Sequence, residues 1–121
     1  MIETFPLVDG EPFPTLYWLT CRRASAAIGR LESSGVMVQL RERVRTDETF
    51  TEALRAAEAD YKARRDALHV LPGFIGGAPS GSVKCLHVHY AHHLVCGCNP
   101  VGAWVADQIG DVHHPPPCVS A

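Results

Sequence analysis

The sequence predicts a small, mostly α-helical fold, α+β at most, with a short extended N-terminal arm or hairpin. Three observations carry this. Apolar residues recur at helical spacing in several separate stretches. Cap and stop residues bracket those stretches. Pro6, Pro12 and Pro14 keep the first residues at a sheet edge or outside a sheet. The length, 121 residues, fits one domain over residues 1–110 followed by a disordered tail over 111–121. Roughly two-thirds of the unfolded surface is buried in a chain of this size, enough for one core.

Taken in order, Asp9-Gly10 is a turn signal between Phe5–Val8 and Phe13–Leu19. Thr20 is a candidate N-cap for a helix from Cys21 to about Ser33, with Ala24, Ala27, Ile28 and Leu31 on its apolar side and Gly35 as its stop. A second helix is expected over Val36–Arg45. A third and longest one starts after Asp47 or Thr49, where Thr49 and Glu52 form a capping-box pattern. Its apolar stripe is Phe50, Leu54, Ala57, Tyr61 and Leu68, and Pro72-Gly73 closes it. Gly73–Ser82 is expected to be a flexible loop. Val83–Val95 reads as a fourth helix with Val83, Leu86, Tyr90 and Leu94 facing the core. Asn99-Pro100 opens a fifth, which runs to about Ile109 before Gly110. The tail DVHHPPPCVSA has three consecutive prolines and no apolar period.

Composition excludes several roles. A net charge of -2 argues against binding nucleic acid by bulk charge. An apolar content of 46% argues against general disorder. No apolar run approaches the ~18 residues of a membrane span. The stretch MIETFPLVDG has no basic n-region, so no secretory signal and a cytoplasmic location are expected. Five Cys and seven His in so short a chain point to a site. In a reducing compartment such residues lean towards metal binding or catalysis over disulfides.

On a regular helix Cys85, His89 and His92 fall within about 60° of one another, and Cys96 joins the same line if the helix extends that far. Zinc takes four N or S ligands in a tetrahedron. The expected set is Cys85, His89 and His92, with Cys21 from the first helix as the fourth. His87 lies about 160° from Cys85 at this phasing and is expected to hydrogen-bond in the core or to act on a substrate. Lys84 lies in the first turn beside it, and these two are the catalytic candidates. Cys98 precedes the Asn99 cap and is read as incidental. His113, His114 and Cys118 fall in the tail. Gly76–Gly81 superficially resembles a phosphate loop, but Lys84 comes three residues late and no Ser or Thr follows it. Free N–H groups at the helix start, with Lys84, would suit a small anion.

Two segments together, PFPTLYWLTC at residues 12–21 and VKCLHVHYAHHL at 83–94 followed by NPVG at 99–102, resemble the bacterial domain-of-unknown-function family 501. The resemblance spans about residues 9–109. It places the family pattern on Cys21, Lys84, Cys85, His87, His92, Asn99 and Gly102. Genes of this family often lie near a septum-formation initiator and an exopolyphosphatase-like protein. The resemblance thus implies a cytoplasmic housekeeping role, tied to the cell envelope or to phosphate metabolism. The function expected is that of a structural-zinc protein that binds a protein partner; the alternatives are a metal-dependent hydrolase on a phosphate-containing substrate and an enzyme with Cys85 as nucleophile and a His as base. No nucleic acid or membrane is expected as partner. A protein partner or a small anionic ligand is.

Overall fold

In the computed structural model, residues 1–110 are described, so the expected tail lies outside the described residues. Two short antiparallel ladders form the arm. β1 (Ile2–Glu3) pairs with β4 (Tyr17–Trp18), and β2 (Leu7–Val8) pairs with β3 (Glu11–Pro12). Asp9 and Gly10 have φ of 51° and 79°. This is the positive-φ pair that a two-residue hairpin turn requires. Leu16 and Tyr17 are buried and fasten the arm to the helices.

Five helices follow: α1 (Arg22–Glu32), α2 (Val36–Thr46), α3 (Glu48–Asp66), α4 (Leu86–Cys96) and α5 (Pro100–Ile109). The first begins at an N-cap of Cys21, one residue past the expected Thr20, with no side-chain cap bond. Asp47, not Thr49, caps α3 by accepting from the Phe50 N–H at 3.0 Å. Thr49 therefore sits inside the helix. Phe50, Leu54, Ala57 and Tyr61 are buried as the stripe requires. Leu68 is not, because α3 ends at Asp66 and the stripe has no helix to continue on. The Tyr61 hydroxyl accepts from the Leu16 N–H at 2.6 Å, tying α3 to the arm.

The segment expected to be a flexible loop, Gly73–Ser82, is held from beneath by two buried charges. Arg65 is fully buried and donates to the carbonyls of Leu71, Pro72, Gly73 and Phe74 at 2.6–3.3 Å. The Glu58 carboxylate accepts from the Ser80 hydroxyl and the Gly81 N–H, each at 2.6 Å. Ile75, in a short 3-10 turn over Ile75–Gly77, is buried in the core. Both charges flank the apolar stripe of α3: Glu58 lies four residues after Leu54 and Arg65 four residues after Tyr61.

The start of α4 differs most from expectation. Cys85 is extended, with φ -142° and ψ 117°, and serves as the N-cap; the helix begins at Leu86. The Glu32 carboxylate at the end of α1 accepts the Leu86 N–H at 2.7 Å, so a side chain 54 positions away supplies the cap. Val83, Leu86 and Tyr90 are buried, whereas Leu94 is exposed. The joint between α4 and α5 is short and tight. Gly102 packs against His89 and His93, and a Cβ there would lie 2.5 Å from the His89 carbonyl oxygen. No helix among the described residues is long and apolar enough to cross a membrane.

Arg65 generates a stability prediction. Removing its guanidinium strands several carbonyls beneath the 71–74 turn, at a cost of about 1–3 kcal/mol for each group left unsatisfied. Arg65→Met is expected to lose about 3 kcal/mol or more in urea denaturation. A loss below about 1 kcal/mol would show that the turn does not depend on this residue.

Candidate metal centre

Three residues from the sequence reading, His89, His92 and Asn99, converge in a way set by one amide. Asn99 is fully buried, and its Oδ1 accepts from the N–H groups of Val101 and Gly102, both at 3.0 Å. It is the N-cap of α5, as the Asn-Pro pair indicates. This use of the oxygen fixes which way the amide points. The Nδ2 group therefore faces His89 Nδ1 and His92 Nδ1, each at 3.1 Å. An amide NH2 only donates, so both Nδ1 atoms present lone pairs and the proton of each neutral ring is on Nε2. His92 uses that proton towards Asp60 Oδ2, at 2.8 Å. Arg64 reaches the same oxygen at 2.7 Å.

The electrostatics agree with neutral rings. Burial pushes His89 down to about 4. His92 is also lowered, again by burial, against the pull of Asp60. Burial works to raise Asp60, but the Arg64 and His92 hydrogen bonds outweigh it and hold its carboxyl below the usual range. The pair is thus a neutral imidazole donating to a carboxylate.

Asp60 and His92 also lie with Cys96 and Cys98 in a group whose ligand atoms are all within 4.8 Å of one another. The two sulfurs are joined as a disulfide. The expectation that the cysteines favour metal or catalysis over disulfides is corrected at this pair. Its signal in the sequence is the spacing Cys-Gly-Cys at a helix end, where the positive φ of Gly97 (66°) turns the chain back. Neither the His92–Asp60 separation of 2.8 Å nor a sulfur–sulfur bond fits two ligands on one ion. Nitrogen and oxygen at the corners of a zinc tetrahedron are about 3.4 Å apart.

The second group is Glu32, Cys85 and His87, all half-buried and likewise within 4.8 Å. His87 Nε2 lies 3.1 Å from the Ser25 carbonyl, which only accepts, so Nε2 carries the proton. In the neutral ring Nδ1 is left as a lone pair, 3.3 Å from Glu32 Oε1 and 3.9 Å from Cys85 Sγ. A ring nitrogen held in place by a backbone carbonyl on its far side is the usual support of a metal-ligating histidine. Two of the three donors, Cys85 and His87, line a cavity of about 470 Å3 together with Lys84, Thr15, Tyr17, Trp18, Ile75 and Val88; Glu32 stands behind them and does not line it.

The four expected zinc ligands are therefore distributed differently. His92 joins Asp60 and the cysteine pair. Cys85 joins Glu32 and His87. His89 is committed to Asn99, and Cys21, buried at the start of α1, belongs to neither group. The separation of Cys85 from His87 expected on a regular helix does not apply, because Cys85 lies before the first helical residue and its side chain swings back towards His87. Asp60 and Glu32 carry no local sequence signal; each is brought in from another helix.

The chain was compared with known proteins. The family model described as protein of unknown function (DUF501) matches residues 1–73 and 73–107. No curated protein and no solved structure matches.

Two predictions follow from the Asn99 network. Asn99→Ala removes the α5 cap, worth about 0.5–2 kcal/mol, and also strands two buried imidazole acceptors, so a total loss near 3 kcal/mol is expected. Asn99→Ser keeps a cap oxygen without the amide donor and is expected to fall between. If Asn99→Ser matches the wild type in urea denaturation, the amide–histidine bonds add nothing.

The second concerns acid. His89 titrates at 6.5 when unfolded and near 4 when folded, so the unfolded chain takes up more protons between these values. Stability is present in full above pH 6.5 and declines as pH falls towards 4, by about 3 kcal/mol from this residue. The lowered carboxyls of Asp47, Asp60 and Asp66 act below 3.8, outside this window. Urea midpoints measured from pH 7 to 4 are expected to drop, and His89→Gln is expected to shrink the drop, the lowered His92 supplying the remainder. A midpoint that rises on acidification would contradict the buried neutral ring.

Proposed function

The chain belongs to the DUF501 family of proteins of unknown function, and from its own geometry we propose that it is a zinc-dependent hydrolase. Its metal is held by Glu32, Cys85 and His87, and its substrate is a small phosphate-containing or similarly anionic ester seated in the adjoining cavity. The observation that carries this reading is the convergence of a carboxylate oxygen, a thiol sulfur and an imidazole lone pair on one point. The Glu32–His87 separation of 3.3 Å is close to the ~3.4 Å edge of a zinc tetrahedron.

Among the described residues three protein donors converge here, one fewer than a closed structural site takes. That difference favours the hydrolase over a structural-zinc protein whose role is to bind a protein partner. An ion at such an open position supplies an activated water and polarises a carbonyl or phosphoryl oxygen. The chain's residues supply the rest. Ser25 keeps His87 turned to the site, Glu32 spans the site and the α4 start, and Lys84 provides the positive charge for an anionic group at the rim. The aromatic and aliphatic walls suit an apolar body on the substrate.

A second reading rests on the 3.9 Å approach of Cys85 Sγ to His87 Nδ1. Without a metal, His87 would act as base for a Cys85 nucleophile.

Zinc content and ester hydrolysis test both. The oxidised wild type, loaded with zinc and desalted, is expected to retain one ion per chain and to hydrolyse a chromogenic phosphate or carboxylate ester. Cys85→Ser and His87→Ala are expected to weaken zinc binding beyond the roughly 10–100-fold that an outer-sphere change costs. His92→Gln is expected to retain the ion. Zinc retained in Cys85→Ser would refute the ligand set. Hydrolysis that survives full chelation, together with alkylation of Cys85 that abolishes it, would establish the nucleophile reading instead.

A further inference from the structure

The Cys96–Cys98 disulfide contributes little as a staple. A cross-link stabilises by restricting the unfolded chain, and the effect grows with the length of the loop it closes. This one spans a single intervening residue. The joint it sits in is already defined on both sides. The Gly97 N–H closes α4 by donating to the His93 carbonyl at 2.8 Å, and Asn99 opens α5. Cys98 is exposed and Cys96 half-buried, so an external reagent can reach the bond. Beside the two sulfurs stands the Asp60 carboxylate, its outer oxygen already hydrogen-bonded by His92 and Arg64.

We propose that this disulfide gates a second metal site: when a dithiol reductant opens it, Cys96 and Cys98 join Asp60 in binding a zinc-class ion, and His92 stays on Asp60 as a hydrogen-bond donor. The assignment of His92 follows from Asn99, which keeps the Nδ1 lone pair occupied and the proton on Nε2. A carboxylate ligand oriented by such a donor is a common arrangement around bound metals. The site is separate from Glu32, Cys85 and His87 and does not depend on the function proposed for them.

The exchange balances. A thiolate of the dithiol attacks the exposed Cys98 sulfur, the Cys96–Cys98 bond breaks, and Cys96 departs as a thiolate. The second thiol of the reductant then attacks the mixed disulfide, releasing Cys98 as a thiolate and leaving the reductant as its own disulfide. Two electrons pass to the cysteine pair. The two sulfurs bind the ion as thiolates, so any proton they hold is released to solvent on binding.

The test counts zinc in the full chain before and after reduction. Protein is treated with dithiothreitol, desalted anaerobically, equilibrated with zinc and desalted again, alongside an untreated sample. Reduction is expected to add one zinc per chain in the wild type and equally in Cys85→Ser. Differential alkylation with peptide mapping is expected to locate new thiols at Cys96 and Cys98. The Cys96→Ser/Cys98→Ser double variant is expected to show no increment, and Asp60→Asn to weaken the added site at least tenfold. His92→Gln, which keeps a donor near Asp60, is expected to retain it. The proposal is overturned if both thiols appear without an added zinc, or if dithiothreitol leaves the bond closed. Failure of the Glu32–Cys85–His87 site would look different: the untreated wild type would hold no zinc, while the increment on reduction would remain.

Discussion

The side chain of Asn99 divides the chemistry of this molecule. Its oxygen is committed to the start of α5, and that commitment leaves its NH2 group facing two buried histidines. One planar group thereby sets the start of a helix and the tautomers of two rings. Reversing the amide would place an acceptor against two acceptors and a donor against two backbone donors. Such a network is stable only when all its members are satisfied. His89 and His92 are consequently structural rings with protonated Nε2 atoms. His87, on another side of α4, instead turns its Nδ1 to Glu32 and Cys85.

A second constraint sits at the other end of that helix. The Glu32 carboxylate accepts the first N–H of α4 and faces the His87 ring with its other oxygen. Helix start and candidate ligand set are therefore one arrangement. Were α4 to begin three residues earlier, as its apolar pattern alone suggests, Cys85 would rotate to the far side from His87 and the group would not exist. The cap comes from α1, so the packing of α1 against α4 is also what assembles the site.

Much of the architecture is legible in local sequence because local chemistry decides it. Asp9-Gly10 supplies the positive-φ pair of a hairpin turn, Asn99-Pro100 a cap and a first helical residue, and Phe50, Leu54, Ala57 and Tyr61 a buried stripe. The family resemblance read from the PFPTLYWLTC, VKCLHVHYAHHL and NPVG segments is the one the family comparison returns. What local reading misses is decided at long range. Arg65 and Glu58 are charged residues with no motif around them, yet they flank the buried stripe of α3 and hold the 71–81 segment from below. The aligned Cys85, His89 and His92 look like one ligand row. Glu32, 53 positions before Cys85 in the numbering, moves the helix start, and Asn99 withdraws the other two rings. Neither partner is visible as a motif.

The central claim is that one ring, His87, is available to a metal while His89 and His92 on the same helix are not. Long-range proton–nitrogen NMR correlations read the protonation of each imidazole nitrogen directly. With the Cys96–Cys98 disulfide intact, the metal-free protein at neutral pH is expected to show Nε2–H tautomers for His89 and His92. On titration with zinc, the His87 Nδ1 resonance is expected to move, with the His89 and His92 nitrogens unchanged. Zinc-dependent loss of the His92 Nε2 proton, with His87 unmoved, would contradict the account.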